Sequence, residues 1–193
     1  MASPQPPDLS HLIAAVAREL SRRHIGFMLI GGQAVLLHGV PRLTEDIDIT
    51  LALGPEDLPT VAAATRALRL QPLPSDPEAF VRETFVYPAR HAETGLRVDF
   101  IFSTTDYERQ AIARATHVEL MGESVPFATA EDLIIHKLFA GRARDIEDAV
   151  GVVRRQGEAL DWPYVEQWCR HFAEVPGREG MPAAAERLRL AGR

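Results

Sequence analysis

Apolar residues recur every three to four positions at Leu9, Leu12, Ile13, Val16, Ala17 and Leu20, which predicts an amphipathic helix over 8–21 with Asp8 or Ser10 as its N-cap. A short apolar run over 27–30 ends at glycine and predicts a buried strand followed by a turn. A helix starts at Gln33 and is stopped by Pro41. Over 46–53 the pattern alternates: Ile47, Ile49 and Leu51 enter a core from one face while Asp46 and Asp48 project from the other. A helix is predicted over 56–68, with Pro59 near its start, then a loop over 71–77 and a strand over 80–87. A clearer strand covers 96–102, with Val98, Phe100 and Phe102 on one face and Arg97, Asp99 and Ile101 on the other. A helix over 105–115 and a short strand pair over 116–125 complete this part.

The character changes at Pro126. Thr129 followed three residues later by Asp132 reads as a helix start. Gly141 interrupts that helix, a second runs over 145–155, and a third runs from Asp161 to about Glu174, with Pro163 in its first turn. The predicted organisation is a disordered tail over 1–7, a core over 8–126, a helical segment over 127–177 and a loosely ordered tail over 178–193. The fold class is α/β in the α+β sense, a small mixed sheet flanked by helices with a helical C-terminal part.

At 193 residues and 46 % hydrophobic composition the chain can bury an ordinary core. Its formal charge of −6, without a run of five or six basic residues, argues against a high-affinity duplex binder. Cys169 is the only cysteine, so an internal disulfide and a cysteine-based zinc site are excluded; it reads as a helix-core residue. The uncharged stretch over 25–41 falls short of the ~20 apolar residues of a membrane span, and the first residues lack the features of a secretory signal. A cytoplasmic protein without a membrane partner is expected.

The candidate chemistry lies between two of these elements. Gly31-Gly32 follows a strand and opens a helix, so the backbone can approach a ligand closely while free N–H groups and the positive helix end suit a phosphate. Asp46 and Asp48, side by side on one strand face, suit a divalent metal. Asp99 is a third carboxylate on a strand face turned from the aromatic core.

Three blocks carry a family resemblance: Leu29-Ile30-Gly31-Gly32, Arg42-Leu43-Thr44-Glu45-Asp46-Ile47-Asp48-Ile49, and Val98-Asp99-Phe100. Together they resemble the minimal nucleotidyltransferases of the DNA polymerase beta superfamily. A further block, Glu131 to Lys137 with Arg144-Asp145-Ile146-Glu147-Asp148, is similar to the AbiEii-type branch, the toxins of type IV toxin–antitoxin systems. The resemblance implies transfer of a nucleoside monophosphate from a nucleoside triphosphate to an acceptor hydroxyl of tRNA, a protein or a small molecule, and an antitoxin partner. It implies two Mg²⁺ ions, replaceable by Mn²⁺, held by Asp46, Asp48 and Asp99, with Asp99 also orienting or deprotonating the acceptor. Lys137 is the implied phosphate-side cation, set against the plainer reading of a solvated helix lysine. Arg42 and Thr44 match an Arg-x-Thr-x-Asp pattern that contacts phosphate or braces the loop, and Gln33 is placed toward the nucleotide.

Asp145 reads either as accepting a hydrogen bond from substrate or as a helix cap, the cap being the plainer role. His38 and His136 read as core groups, and Trp162, Tyr164 and Trp168 as packing of the last helix. Arg142, Arg144, Arg154 and Arg155 form a candidate basic strip for RNA. Two other functions fit parts of the pattern. Asp46-Ile47-Asp48-Ile49-Thr50 satisfies the Asp-x-Asp-x-Thr pattern of a phosphatase, although the preceding segment is not apolar. A catalytically inactive relative that binds a nucleotide or a protein is the other.

Overall fold

Alternation of buried and exposed side chains along two strands sets up the sheet that carries the three acidic residues. The computed structural model describes residues 9–41, 43–44, 46–103 and 105–192, so the expected tail over 1–7 lies outside them. The chain divides into two compact units, Met1–Ile30 with Thr44–Phe127, and Gly31–Leu43 with Ala128–Arg193.

The first unit is built on β1 (Phe27–Leu29), β2 (Asp46–Leu51), β3 (Leu70–Pro72), β4 (Val86–His91), β5 (Arg97–Phe102), β6 (Thr116–Leu120) and β7 (Glu123–Phe127). These form one mixed sheet of seven strands in the order β3-β4-β5-β2-β1-β7-β6. β2 pairs with β5 in parallel and with β1 antiparallel, while β4 and β5 are antiparallel. Ile47, Ile49, Val98 and Phe100 are fully buried on one face. The helix α1 (Leu9–Arg22) buries Leu12, Ile13, Val16, Ala17 and Leu20 in the predicted periodicity and packs along β7.

Two expectations change here. The predicted strand over 80–87 is instead α4 (Pro77–Thr84), running into β4. Asp76 accepts from the Ala79 N–H at 2.9 Å and Pro77 opens the helix, while Phe85 ends it in the left-handed conformation (φ 59°). The β-rich residues Val81, Phe85, Val86 and Tyr87 mask that cap in the sequence. Part of the predicted loop over 71–77 is the edge strand β3, paired to β4. The helix predicted over 56–68 is α3 (Leu58–Ala67), and that over 105–115 is α5 (Asp106–Arg114).

The second unit is helical: α2 (Gly31–His38), α6 (Ala130–Ala140), α7 (Ala143–Gln156), α8 (Trp162–Phe172) and α9 (Met181–Ala191). Thr129 caps α6 by accepting from the Asp132 N–H at 3.1 Å, and Gly141 closes it at φ 70°. The C-terminal carbonyls of α2 are satisfied by α7: Arg155 donates to Gly39 O at 2.9 Å and Gln156 donates to His38 O at 2.9 Å. Asp132 is wholly buried and accepts from Tyr164 Oη at 2.7 Å and Thr129 Oγ1 at 2.8 Å. Tyr164 and Trp168 stack edge to face, in keeping with their reading as packing. Cys169 is buried, and burial pushes its thiol up to about 12. Residues 178–193, expected to be loosely ordered, carry α9, which buries Met181, Ala185 and Leu188 at helical spacing.

Candidate active site

Parallel pairing of β2 with β5 puts Asp48 directly opposite Asp99 and Asp46 directly opposite Arg97. Antiparallel pairing of β4 sets Arg90 opposite Arg97 on the same face. The first unit thus gathers the three predicted acids on neighbouring strands, with two arginines among them. Asp46 is exposed and Asp48 half-buried. Asp99 accepts from Arg97, Nε to Oδ1 at 2.7 Å. This bond raises the arginine's pKa against the opposing effect of burial, and the charges of Asp99, Asp46 and Asp48 add to it.

The donor chemistry fits a hard divalent cation, since all three residues offer carboxylate oxygens. Their side chains do not converge in this arrangement: among the described residues no group of three His, Cys, Asp or Glu is placed to hold a metal. Asp99 is bonded to Arg97 on its own strand. The strand pattern puts Arg97 on the Asp99 face without naming its partner; the i, i+2 spacing along one strand is the signal that could have found it.

Gly31 follows β1 through Ile30, whose N–H donates to Asp48 O at 2.9 Å. Gly31 has φ 60°, a conformation that costs other residues a Cβ clash. Gly32 and Gln33 are buried within α2. Thr44 is half-buried ahead of β2, and Arg42 lies outside the described residues.

Lys137 is not a solvated helix lysine. Its ammonium, 6 % exposed as a residue, donates to Asp145 Oδ1 at 2.9 Å and Asp148 Oδ2 at 2.7 Å. Asp145 sits inside the first turn of α7 and is not its cap, which is Arg142. Burial pushes Asp145 up, but hydrogen bonds from Arg142 and Lys137 outweigh it and hold the carboxyl below its ordinary value. Two arginines of the proposed basic strip are likewise engaged within the fold, Arg142 with Asp145 and Arg155 with α2. His38 bonds Ala128 O through Nε2 at 2.8 Å, as a core group.

No curated protein matches the chain significantly in sequence. Among solved structures it is similar to an antigenic nucleotidyltransferase-like protein from Paracoccidioides brasiliensis, at 17 % identity and TM-score 0.54, over 91 % of this chain and 92 % of that one. It is also similar to the antibiotic-resistance factor ANT(2″)-Ia, at 18 % identity and TM-score 0.51, over 94 % of this chain and 89 % of that one. These likenesses establish the nucleotidyltransferase fold. Among the described residues no helix is long and apolar enough to cross a membrane. A family model described as nucleotidyl transferase AbiEii toxin, type IV TA system, matches residues 14–189, and the chain therefore belongs to this family of nucleotidyltransferases.

Proposed function

We propose that the protein transfers a nucleoside monophosphate from a nucleoside triphosphate to an acceptor hydroxyl, with Mg²⁺ or Mn²⁺ held by Asp46, Asp48 and Asp99. The observation that carries this reading is the register of β2 and β5, which sets Asp48 beside Asp99 with Asp46 one position along the same face. Asp46, Asp48 and Asp99 would hold the divalent metal, which would supply positive charge against the charge that develops as pyrophosphate leaves.

The chain's own groups supply the rest of the reading. Asp99 takes the proton of the acceptor hydroxyl as its oxygen bonds to the α-phosphorus and the bond to pyrophosphate breaks. Gly31, Gly32 and the first turn of α2 offer backbone N–H groups suited to phosphate, and Gln33, Arg42 and Thr44 are proposed as nucleotide-binding residues. Lys137 takes a supporting part, fixing α6 to α7 through Asp145 and Asp148. The family membership supports a toxin role opposed by an antitoxin protein; tRNA, a protein or a small molecule is the proposed acceptor.

The test is incubation of the purified protein with cell extract, Mg²⁺ and each α-³²P-labelled nucleotide in turn, followed by separation of RNA, protein and small molecules. Label is expected in one fraction, and not with the Asp46→Asn/Asp48→Asn variant. Equal labelling by that variant would overturn the assignment.

A further inference from the structure

Arg97 stands where the proposed reaction has no use for it. It lies in register with Asp46, donates to Asp99, and is subject to the charge of Asp48. Like charges directly opposite on adjacent strands repel, so a face with three carboxylates needs a compensating cation when no metal is bound. Arginine meets that need at every working pH because it does not deprotonate, so its compensation ends only when the side chain moves away. While the guanidinium lies 2.7 Å from Asp99 Oδ1, its positive charge repels a cation approaching that carboxylate and competes for the oxygen's lone pairs.

We propose that Arg97 is a resident counter-ion of the carboxylate face and is exchanged for divalent metal. This rests on the metal reading of Asp46, Asp48 and Asp99. In the metal-free protein Arg97 holds Asp99 and stabilises the pairing of β2 with β5. On metal entry the Arg97–Asp99 bond breaks, and the guanidinium turns into the adjoining cavity of about 510 Å³, lined by Asp46, Arg90, Thr94, Gly95, Leu96 and Arg97 itself. Arg97 is therefore a positioning residue that sets metal affinity. Its side chain is 41 % exposed against 16 % for Asp99, so the arginine is the partner with room to leave.

The experiment is a Mn²⁺ titration of the full chain, followed by the electron paramagnetic resonance signal of free Mn²⁺, together with the melting temperature without metal. Arg97→Gln is expected to bind Mn²⁺ about tenfold more tightly, the scale of one charge-assisted hydrogen bond that no longer has to be broken, and to melt lower without metal. In an Asp99→Asn background the same substitution should change Mn²⁺ affinity little; a tightening that persists there would be a general charge effect and would overturn the exchange. Equal or weaker binding by Arg97→Gln would also overturn it. Should Arg97→Gln fail to fold, Arg97→Lys carries the test, since it keeps the charge but loses the planar geometry: tighter binding supports exchange and unchanged binding refutes it. Wild type that binds Mn²⁺ no better than Asp46→Asn/Asp48→Asn would instead overturn the carboxylate site itself, and the exchange with it.

Discussion

Lys137 Nζ lies 2.7 Å from Asp148 Oδ2, bridging α6 to the second turn of α7 with both groups buried. With Asp145 on its other side, the ammonium is matched by two carboxylates. Removing one partner from such a group leaves uncompensated buried charge, typically at ~3–5 kcal/mol. Lys137→Ala is accordingly expected to lower stability by about that amount. Urea unfolding of the variant against wild type measures it, and a loss below about 1 kcal/mol would show that the group contributes little. Transfer assays on this variant have to be run where it remains folded, since lost activity would otherwise report unfolding.

Mutation of the acidic strand face should separate binding from turnover. Triphosphate binding to the native state raises the melting temperature by mass action, and this rise should require Mg²⁺ or Mn²⁺ in wild type. It should vanish in Asp46→Asn/Asp48→Asn. Asp99→Asn should keep a measurable rise but lose turnover by ~10² to 10⁴, the range for a lost general base. Thermal shift and labelled transfer on the same samples distinguish these outcomes.

Gly31 should tolerate no side chain. At φ 60°, Gly31→Ala costs about 1–2 kcal/mol from the left-handed conformation and should reduce transfer beyond that loss, because the same backbone is assigned to phosphate. Full activity of Gly31→Ala in a folded protein would move the phosphate site elsewhere.

Acidification should weaken the second unit through His38. Burial lowers the pKa of its imidazole below the ordinary 6.5, only partly countered by the bond to Ala128 O. The unfolded chain then binds more protons than the native one between the two pKa values, so stability falls as pH drops from above 6.5 toward the native value. Melting temperatures from pH 7.5 down to 5.5 should show this slope, and His38→Gln should flatten it.

The acidic strands are legible in the amino-acid sequence itself. Alternation through Asp46 to Leu51 and through Arg97 to Phe102 assigns each acid to its face. Their juxtaposition follows from the family resemblance and not from the local pattern, because parallel pairing of β2 and β5 is a tertiary choice that alternation does not encode. The cap Asp76-Pro77 is present, but β-favouring residues around Phe85 outweigh it. Lys137 looks solvated when its own helix is considered alone; its partners come from the next helix, and only the turn at Gly141 hints that they return. Met181, Ala185 and Leu188 carry a helical period that is easy to undervalue in a short, charged segment.

The chain passes between its two units three times, after Ile30, after Leu43 and after Phe127, because α2 belongs with the late helices. During synthesis α2 is therefore an orphan. Ala34 and Val35, buried in the finished protein, must wait for α6 and α7, and the sheet of the first unit is completed meanwhile by β7. A chain stopped at Phe127 would hold all three acids yet leave α2 without its packing partners. The acidic strands are in this sense encoded early, while the packing of α2 is complete only when α6 and α7 have been made.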